Sequence, residues 1–352
     1  MSATQPAVPD FVMKLIGDMG AAFTAPLILL GDRLGLYKAL AEIGPAASTA
    51  VAERTGTDPR YVQEWLAAQA AAGNVSYDAG AGTFAMSSEQ QAAFADEASP
   101  LFMPGAYEVV ASMFFDTDQV ADAFRSGAGV GWGEHHACLF RGTERFFRPG
   151  YAANLVQAWL PALQGMAARL EAGALVADVG CGHGATTILM AQAFPRSQFC
   201  GFDYHVPSIE RARTLAAEAG VADRIRFASA TADGFPGSGY DLVTFFDCLH
   251  DMGDPVAAAR HVRESLRPDG TWMIVEPFAH DALHHNLNPI GRVFYAASTM
   301  ICTPASRAQE GACCLGAQAG EARLREAVLA GGFSQFRRAT ETPFNLVLEA
   351  RP

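Results

Sequence analysis

The stretch Val-Ala-Asp-Val-Gly-Cys-Gly-His-Gly, residues 176–184, decides the fold of this chain. It follows a short apolar strand and precedes an amphipathic helix over residues 185–194, and its glycines are Gly180, Gly182 and Gly184. Such a loop lets the backbone approach a ligand closely, because a side chain at these positions would collide with it. The spacing G-x-G-x-G differs from the G-x-G-x-x-G of dinucleotide sites, whose third glycine lies inside the helix. The loop therefore predicts a cofactor of another kind.

Further strands of the predicted sheet also end near acids. Residues 197–203 predict a second strand that ends at Asp203, whose carboxylate can accept hydrogen bonds from both hydroxyls of a ribose. A third block, residues 225–233, again ends a strand in an acid. Tyr240–Phe246 and Thr271–Val275 predict a fourth and a fifth strand, with a turn over 266–270 between them. A helix cap or a solvated turn explains one such acid, but three in register favour a nucleoside site.

The D-x-G-x-G-x-G pattern resembles the first motif of the class I S-adenosylmethionine (AdoMet) methyltransferases. The resemblance implies an α/β fold with a seven-stranded Rossmann-like sheet, AdoMet as cofactor and S-adenosylhomocysteine (AdoHcy) as its product. In this family the acid after the second strand binds the ribose, and the acid after the third faces the adenine amino group. The cofactor-binding residues implied here are Asp178, Gly180, Cys181, Gly182, Gly184, Asp203, Tyr204, Asp233, Gly234, Phe235 and Asp247.

The front of the chain has a mostly helical pattern. The predicted elements are a helix over 27–43, a helix over 48–54 capped by Ser48, a helix from Asp58-Pro59 to Ala72 and a hairpin over 74–86. Three helices and a hairpin make a winged helix. From Ser48 to Gln90 the basic residues are Arg54 and Arg60, against five acidic ones, and the whole chain carries a net charge of −12. Nucleic-acid binding needs clustered basic residues, so the winged helix favours dimerisation.

A winged helix before an AdoMet-binding domain resembles small-molecule O-methyltransferases and winged-helix methyltransferases of the mycobacterial type. The resemblance covers nearly the whole chain and implies a homodimer that acts on a small molecule. It predicts a dimerisation domain over 1–95, a connector over 96–165 that lines the substrate pocket, and a methyltransferase domain over 166–352 with a covering insertion at 278–320. The connector and the insertion supply the candidate substrate-pocket residues His135, His136, Phe146, Phe147, Tyr151, Phe294 and Tyr295.

The candidate catalytic residues follow the fourth and fifth strands, where open α/β sheets bind their ligands. The block over 247–254 is similar to the Leu-His-Asp-Trp-x-Asp block of the small-molecule O-methyltransferases, which implies that His250 deprotonates the acceptor hydroxyl. Met252 replaces the usual Trp. A neutral imidazole can accept that proton, and Glu276 is expected to orient the imidazole or to bind substrate.

Several alternatives stay open. His250 can instead be a structural histidine, and the methyl group can go to nitrogen, sulfur or carbon without a base. An alternative of another class is an AdoMet-sensing transcriptional regulator that binds DNA through the winged helix. Loss of the methyl-transfer rate in a His250 variant would favour the general base. A salt-dependent gel shift would favour the DNA-binding regulator.

The remaining features indicate a cytoplasmic enzyme without a metal. Residues 1–10 contain no basic segment, and the apolar stretch 21–30 is shorter than the roughly 20 residues of a membrane span. The seven cysteines form no Cys-x-x-Cys pair, so reduced thiols are expected, with a soft-metal site at Cys313 and Cys314 as the less favoured alternative. Histidines at 135–136 and 280–285 are of a ligand type, but methyl transfer from AdoMet requires no metal.

Overall fold

The glycine loop lies at the centre of a seven-stranded sheet in the computed structural model, which describes residues 9–352. The strands of this sheet and of a separate hairpin are β1 (Ser76–Asp78), β2 (Thr83–Ala85), β3 (Leu175–Val179), β4 (Gln198–Asp203), β5 (Ile225–Ser229), β6 (Tyr240–Phe246), β7 (Leu266–Pro277), β8 (Gln335–Glu341) and β9 (Asn345–Arg351). The sheet order is β5-β4-β3-β6-β7-β9-β8, with β9 antiparallel to both neighbours. This confirms the predicted α/β class and seven-stranded sheet.

Helices precede the sheet and alternate with its parallel strands. Their bounds are α1 (Asp10–Arg33), α2 (Leu36–Ile43), α3 (Ser48–Thr55), α4 (Pro59–Ala71), α5 (Ser88–Phe94), α6 (Pro104–Phe115), α7 (Thr117–Ser126), α8 (Cys138–Asn154), α9 (Leu160–Ala162), α10 (Met166–Ala172), α11 (Ala185–Ala193), α12 (Val206–Glu218), α13 (Pro255–Ser265), α14 (Pro289–Ala297), α15 (Thr303–Arg307) and α16 (Gly320–Ala330). Short 3₁₀ turns cover Trp132–Glu134, Leu249–Asp251 and Leu283–Asn286, and π-helical turns cover Leu155–Trp159 and Ser298–Cys302.

The chain divides into two compact units. The first contains the described residues up to Ala111 together with Arg141–Pro149, and the second contains Ser112–Phe140 and Gly150–Pro352. The residues predicted as a connector, 96–165, are thus shared between both units.

The sheet positions the site because its central strands are buried on both faces. All seven residues of β6 are buried, as in a mostly apolar strand of a parallel sheet. β3 pairs with β4 on one side and with β6 on the other, so the strand order reverses direction at this point. Ligands of open α/β sheets bind outside the carboxyl ends of the strands at such a reversal. The end of β3, where the glycine loop begins, is therefore the expected ligand position.

Helices α1 to α4 and the β1–β2 hairpin form the predicted winged helix in the first unit, around a core that includes Tyr37, Leu66 and Trp65. The helix predicted over 27–43 is broken, because Gly35 adopts a left-handed conformation with φ of 69° between α1 and α2. The predicted Ser48 cap is also wrong. Ala47 is the N-cap residue of α3, and Ser48 is the buried first residue of the helix.

Two strand predictions differ from the structure as well. The turn predicted over 266–270 is part of β7, which begins at Leu266 and shifts its register against β6 after Tyr240. The strand predicted over 225–233 ends at Ser229, so Asp233 lies beyond it in an exposed turn.

Helix α1 is longer and more exposed than the leucine pattern predicts. It begins at Asp10. By length and composition it is the one helix among residues 9–352 that could cross a membrane. Its most apolar window of 18 residues has a mean hydropathy of 1.4, and 17% of that window is buried. The apolar stretch predicted over 21–30 was therefore too short. Phe11 and Phe23 are 68% and 70% exposed on this helix. These side chains give α1 an exposed apolar face.

Candidate active site

The three glycines of the loop all adopt left-handed conformations, with φ of 71°, 51° and 78° at Gly180, Gly182 and Gly184. Their surroundings differ. A Cβ atom at Gly180 would lie 2.7 Å from the Cys248 thiol, and one at Gly184 would lie 2.7 Å from the ring of Phe227. Only at Gly182 does a Cβ atom meet no protein atom within 4 Å. The expectation that each glycine clears space for a cofactor therefore holds for Gly182, whereas the other two permit tight internal packing.

Asp178 supports the loop from beneath. Its side chain is fully buried and accepts hydrogen bonds from the hydroxyls of Thr186, Thr187 and Thr244, at 2.7, 2.5 and 2.9 Å. Burial raises the pKa of this carboxyl to about 6, although the three hydroxyl donors favour the ionised form. Asp178 thus fixes the start of α11 to β3 and β6. The observed contacts of Asp178 are all with the protein itself.

Asp203 lies at the end of β4 and next to the glycine loop. Its carboxylate accepts hydrogen bonds from the backbone N–H groups of Gly182, at 2.9 Å, and of His205, at 2.8 Å. Burial raises the pKa of the carboxyl. The carboxylate is therefore held beside the glycine that faces open space. Each oxygen keeps lone-pair capacity for a sugar hydroxyl.

The other predicted cofactor residues occupy different environments. Tyr204 is 45% exposed, and Asp233 and Gly234 lie in the exposed turn after β5. The Cys181 side chain is buried, as is that of Phe235, which stacks on Phe202 with ring centroids 5.3 Å apart. Phe235 is thus a core residue in the ligand-free structure, and its contact with the cofactor stays a prediction.

His250 and Glu276 form a buried pair at the carboxyl ends of β6 and β7. His250 Nδ1 lies 2.5 Å from Glu276 Oε2, and Glu276 Oε1 accepts a hydrogen bond from the backbone N–H of Leu249 at 2.9 Å. Both side chains are nearly inaccessible, with 6% and 2% exposure. Glu276 therefore holds Nδ1 and fixes the ring orientation of His250, which is one of the two roles expected for it.

The predicted insertion packs directly on the His250 loop. The Cys302 thiol lies beside the His250 side chain and contributes to raising its pKa. Farther along, the hydroxyl of Ser306 donates to the carbonyl of Met252 at 2.8 Å, and the backbone N–H of Gly316 donates to the carbonyl of His250 at 2.9 Å. Burial alone lowers the pKa of His250, but Glu276 and Cys302 outweigh it and raise the pKa well above its ordinary value.

Asp247 is the strained residue of the site. Its φ of 50° is unusual for a residue other than glycine and places it directly after β6. The hydroxyl of Tyr151 donates to Asp247 Oδ2 at 2.6 Å, and Asn345 Nδ2 lies 3.5 Å from Oδ1. Burial and then the charge of Glu276 raise the pKa of Asp247 to about 7. Tyr151, predicted to line the substrate pocket, thus binds this carboxylate.

Carboxylates accumulate at this edge of the sheet without basic partners. Asp251 has a pKa raised to about 7, first by burial and then by Glu276 and Asp203. Among residues 9–352, no lysine or arginine forms an ion pair with Asp203, Asp247, Asp251 or Glu276, and the imidazole of His250 is the basic group that contacts Glu276. Carboxylates held close together in this way favour a cationic ligand. The observation fits the sulfonium that the glycine loop implies.

The candidate substrate residues are only partly brought together. His135 is buried and His136 is exposed, and both contact Asp116, which sequence reasoning missed. Phe294 and Tyr295 are half-buried on α14, which belongs to the second unit, as do His135 and His136. The rings of Phe146 and Phe147 pack on each other at 4.9 Å and belong to the first unit.

No cluster of three or more histidine, cysteine or acidic side chains within residues 9–352 could hold a metal ion. The rings of His284 and His285 approach to 4.0 Å in an exposed turn. Cys313 is exposed, whereas the thiol of Cys314 lies 3.3 Å from the carbonyl of Ala312.

Comparison with known families matches both parts of the chain. Residues 177–272 match a family described as a methyltransferase domain, and residues 22–95 match the Rv2258c-like winged HTH domain. The chain therefore has a methyltransferase domain behind an N-terminal winged helix, as the sequence predicted.

Individual relatives agree with this arrangement. Acetylserotonin O-methyltransferase of Mus musculus is 26% identical over 96% of this chain and 88% of its own length. An uncharacterised methyltransferase of Bacillus subtilis, YcgJ, is 33% identical over 30% of this chain. The matched region covers only 41% of the YcgJ sequence. The crystal structure of human N-acetylserotonin methyltransferase in complex with SAM has a TM-score of 0.71 at 16% identity, covering 99% of both chains. At that identity the structural match shows the shared fold.

Proposed function

We propose that this chain, a class I AdoMet-dependent methyltransferase with a winged-helix domain, transfers a methyl group to a hydroxyl of a small aromatic or apolar molecule. The observation that carries the proposal is the buried His250–Glu276 pair at the ligand-binding edge of the sheet. The relative that spans most of the chain is named for O-methylation, which supports oxygen as the acceptor atom.

The site fits AdoMet at three points. Gly182 leaves open space, the carboxylate of Asp203 is held beside it, and the acidic side chains near His250 lack basic partners. Bound AdoMet supplies an electrophilic methyl group on a positively charged sulfur. We propose that Asp203 binds the ribose and that the backbone of the glycine loop lies against the rest of the nucleoside. Tyr204, Asp233 and Gly234 complete the proposed cofactor site.

His250 acts as the base in this proposal. In the ligand-free enzyme burial lowers the pKa of His250, but Glu276 and Cys302 outweigh it and raise the pKa well above its ordinary value. A positive charge bound nearby lowers the pKa of an imidazolium, so the base becomes available when the cofactor site is filled. The proton of the acceptor hydroxyl then passes to His250 Nε2, while Glu276 holds Nδ1–H. Most of the rate comes from positioning in a dry site, to which α14 and α15 contribute.

The proposal is tested with His250→Asn and Glu276→Gln. AdoHcy formation is measured with a panel of phenols, matched amines and thiols, and acetylserotonin, the molecule named by the relative that spans most of the chain. We expect His250→Asn to reduce kcat by about 100-fold or more, as the loss of a general base does, with AdoMet affinity changed only a few-fold. Glu276→Gln should shift the acidic limb of the kcat profile to lower pH. Unchanged rates in both variants would remove the base from the mechanism.

We also propose that the enzyme is a cytoplasmic homodimer in which a second copy covers the exposed apolar face of α1. Phe23 is 70% exposed there, and the net charge of −12 is unfavourable for an anionic membrane surface. Light scattering should give a dimer for the native chain and a monomer for Phe23→Glu. A native monomer that sediments with phosphatidylglycerol vesicles would instead make α1 a membrane contact.

The winged helix offers little to DNA. Arg54 is paired with Glu42 at 2.6 Å, and Arg60 is paired with Glu64 at 2.5 Å, so both basic residues of the 48–90 segment already have acidic partners. Binding to a DNA phosphate requires a basic side chain that can replace its counterion. The regulator function is therefore not proposed, and a salt-dependent gel shift would reverse this conclusion.

A further inference from the structure

A second histidine–carboxylate pair lies in the segment between α6 and α8. His135 Nδ1 lies 2.8 Å from Asp116 Oδ2, and the side chains are 0% and 6% exposed. The same carboxylate accepts a hydrogen bond from the backbone N–H of His136 at 3.1 Å. Asp116 is the N-cap residue of α7 but makes no capping hydrogen bond. An aspartate at this position ordinarily accepts from the helix N–H groups, so this side chain binds the histidine in their place.

The other ring nitrogen of His135 has no partner. Nε2 is buried and makes no hydrogen bond to any of residues 9–352. Because Nδ1 donates its hydrogen to Asp116, Nε2 of the neutral imidazole carries the lone pair and can only accept. Leaving a buried acceptor unsatisfied is unfavourable, and native proteins seldom do so without a ligand or an ordered water. Nε2 therefore keeps the capacity to accept one hydrogen bond.

The segment that carries His135 is attached to both sides of the candidate active site. On the cofactor side, a Cβ atom at Gly133 would lie 3.2 Å from the ring of His205, which closely follows Asp203, and the rings of Phe140 and His205 are 4.6 Å apart. On the insertion side, the backbone N–H of Val130 donates to a carbonyl of α15 at 3.0 Å. Helix α15 directly follows Cys302, which lies beside His250.

We propose that His135 is a specificity residue whose Nε2 accepts a hydrogen bond from a second donor group of the methyl acceptor. The inference rests on the proposed function and narrows its substrate class. The acceptor is a small ring compound that carries, besides the hydroxyl to be methylated, one further O–H or N–H group. A site built to receive a donor rejects an analogue without it, because the buried acceptor of the protein then stays unpaired.

The first test concerns the tautomer of His135. Histidine labelled with ¹⁵N in the full-length protein, bound to AdoHcy, reports by long-range ¹H–¹⁵N spectra which ring nitrogen carries the proton. The proposal expects a protonated Nδ1 and an unprotonated Nε2, and comparison with His135→Gln assigns the signals. A proton on Nε2 of the neutral ring would overturn the proposal.

The second test measures discrimination. Calorimetry on the AdoHcy complex compares the three benzenediols with their monomethyl ethers, which lack one donor. At least one diol should bind about 10-fold tighter than its ether, a preference that His135→Leu removes and His135→Gln partly keeps. His284→Leu, which changes an exposed histidine, is the matched control and should keep the full preference.

Two results contradict the inference in this assay: no diol preference in the native enzyme, or an undiminished preference in His135→Leu. The His250→Asn variant separates this outcome from the proposed function. It should keep the preference for the diol while losing methyl transfer. If transfer survives in His250→Asn, the assignment of the base fails, whatever the binding data for His135 show.

Discussion

Replacing Asp247 with Asn should stabilise the ligand-free protein and do so in a pH-dependent way. The pKa of Asp247 is raised from 3.8 to about 7, which corresponds to about 4 kcal/mol of free energy for keeping the carboxylate ionised in the folded state. Asparagine removes this charge and can still accept the hydrogen bond from the Tyr151 hydroxyl. It also tolerates the φ of 50° better than most residues. We therefore expect Asp247→Asn to gain up to about 4 kcal/mol at pH 8.

The sign of the pH dependence follows from the direction of the shift. Because the folded pKa of Asp247 lies above the unfolded value, the folded state binds the proton more tightly. Its stabilising contribution is complete below about pH 4 and is lost as the pH rises through about 7. The advantage of Asp247→Asn over the native chain should therefore fall by about half between pH 8 and pH 5.5.

Urea unfolding of the cofactor-free protein, followed by tryptophan fluorescence, measures this difference. Trp272 is fully buried in the same unit and reports on the sheet. The matched control is Asp241→Asn, because Asp241 is also buried but is paired with Arg169 at 2.8 Å. The control should lose stability at both pH values, by about 1–3 kcal/mol. A loss of stability in Asp247→Asn at pH 8, or an equal gain at both pH values, would refute the reasoning.

Three further substitutions test other parts of the site. Asp203→Asn should weaken the binding of AdoMet and AdoHcy alike, by about 10- to 100-fold in calorimetry, because charge-assisted hydrogen bonds to the ribose are lost. Cys302→Ala should lower the pKa of His250 and move the acidic limb of the kcat profile to lower pH, since the thiol contributes to raising that pKa. Gly184→Ala should destabilise the protein by about 1–3 kcal/mol in urea unfolding, because φ is 78° and the new Cβ would meet a ring carbon at 2.7 Å.

The parts of the fold that the sequence predicts well are those with an unbroken local pattern. β6 agrees with its predicted bounds at both ends, because a strand buried on both faces is mostly apolar, and its two polar residues, Asp241 and Thr244, have partners within the fold. The helix break at Gly35 was missed although the glycine is visible in the sequence. The leucine stripe continues across it, so the periodicity indicates one helix where the backbone turns between two.

Hydrogen bonds between side chains that are distant in sequence could not be predicted. The motif identifies Asp178 but does not indicate that three threonines, two on the next helix and one on β6, hold its carboxylate. Asp116 and His135 are separated by 19 positions and belong to no motif. Their pairing depends on how the segment between α6 and α8 folds back on itself, and neither residue type nor spacing encodes that path.

The accumulation of acids around His250 shows why the functional role of such residues is hard to infer from sequence. In a folded core, carboxylates are ordinarily paired with basic side chains or exposed to water, and an unpaired group raises its pKa instead. Asp247 and Asp251 both have raised pKa values, and neither forms an ion pair with a lysine or arginine within residues 9–352. The energetic cost is acceptable only if a cation joins the site in the working enzyme. AdoMet carries that charge and AdoHcy does not, so the same carboxylates should favour binding of the cofactor over retention of its product.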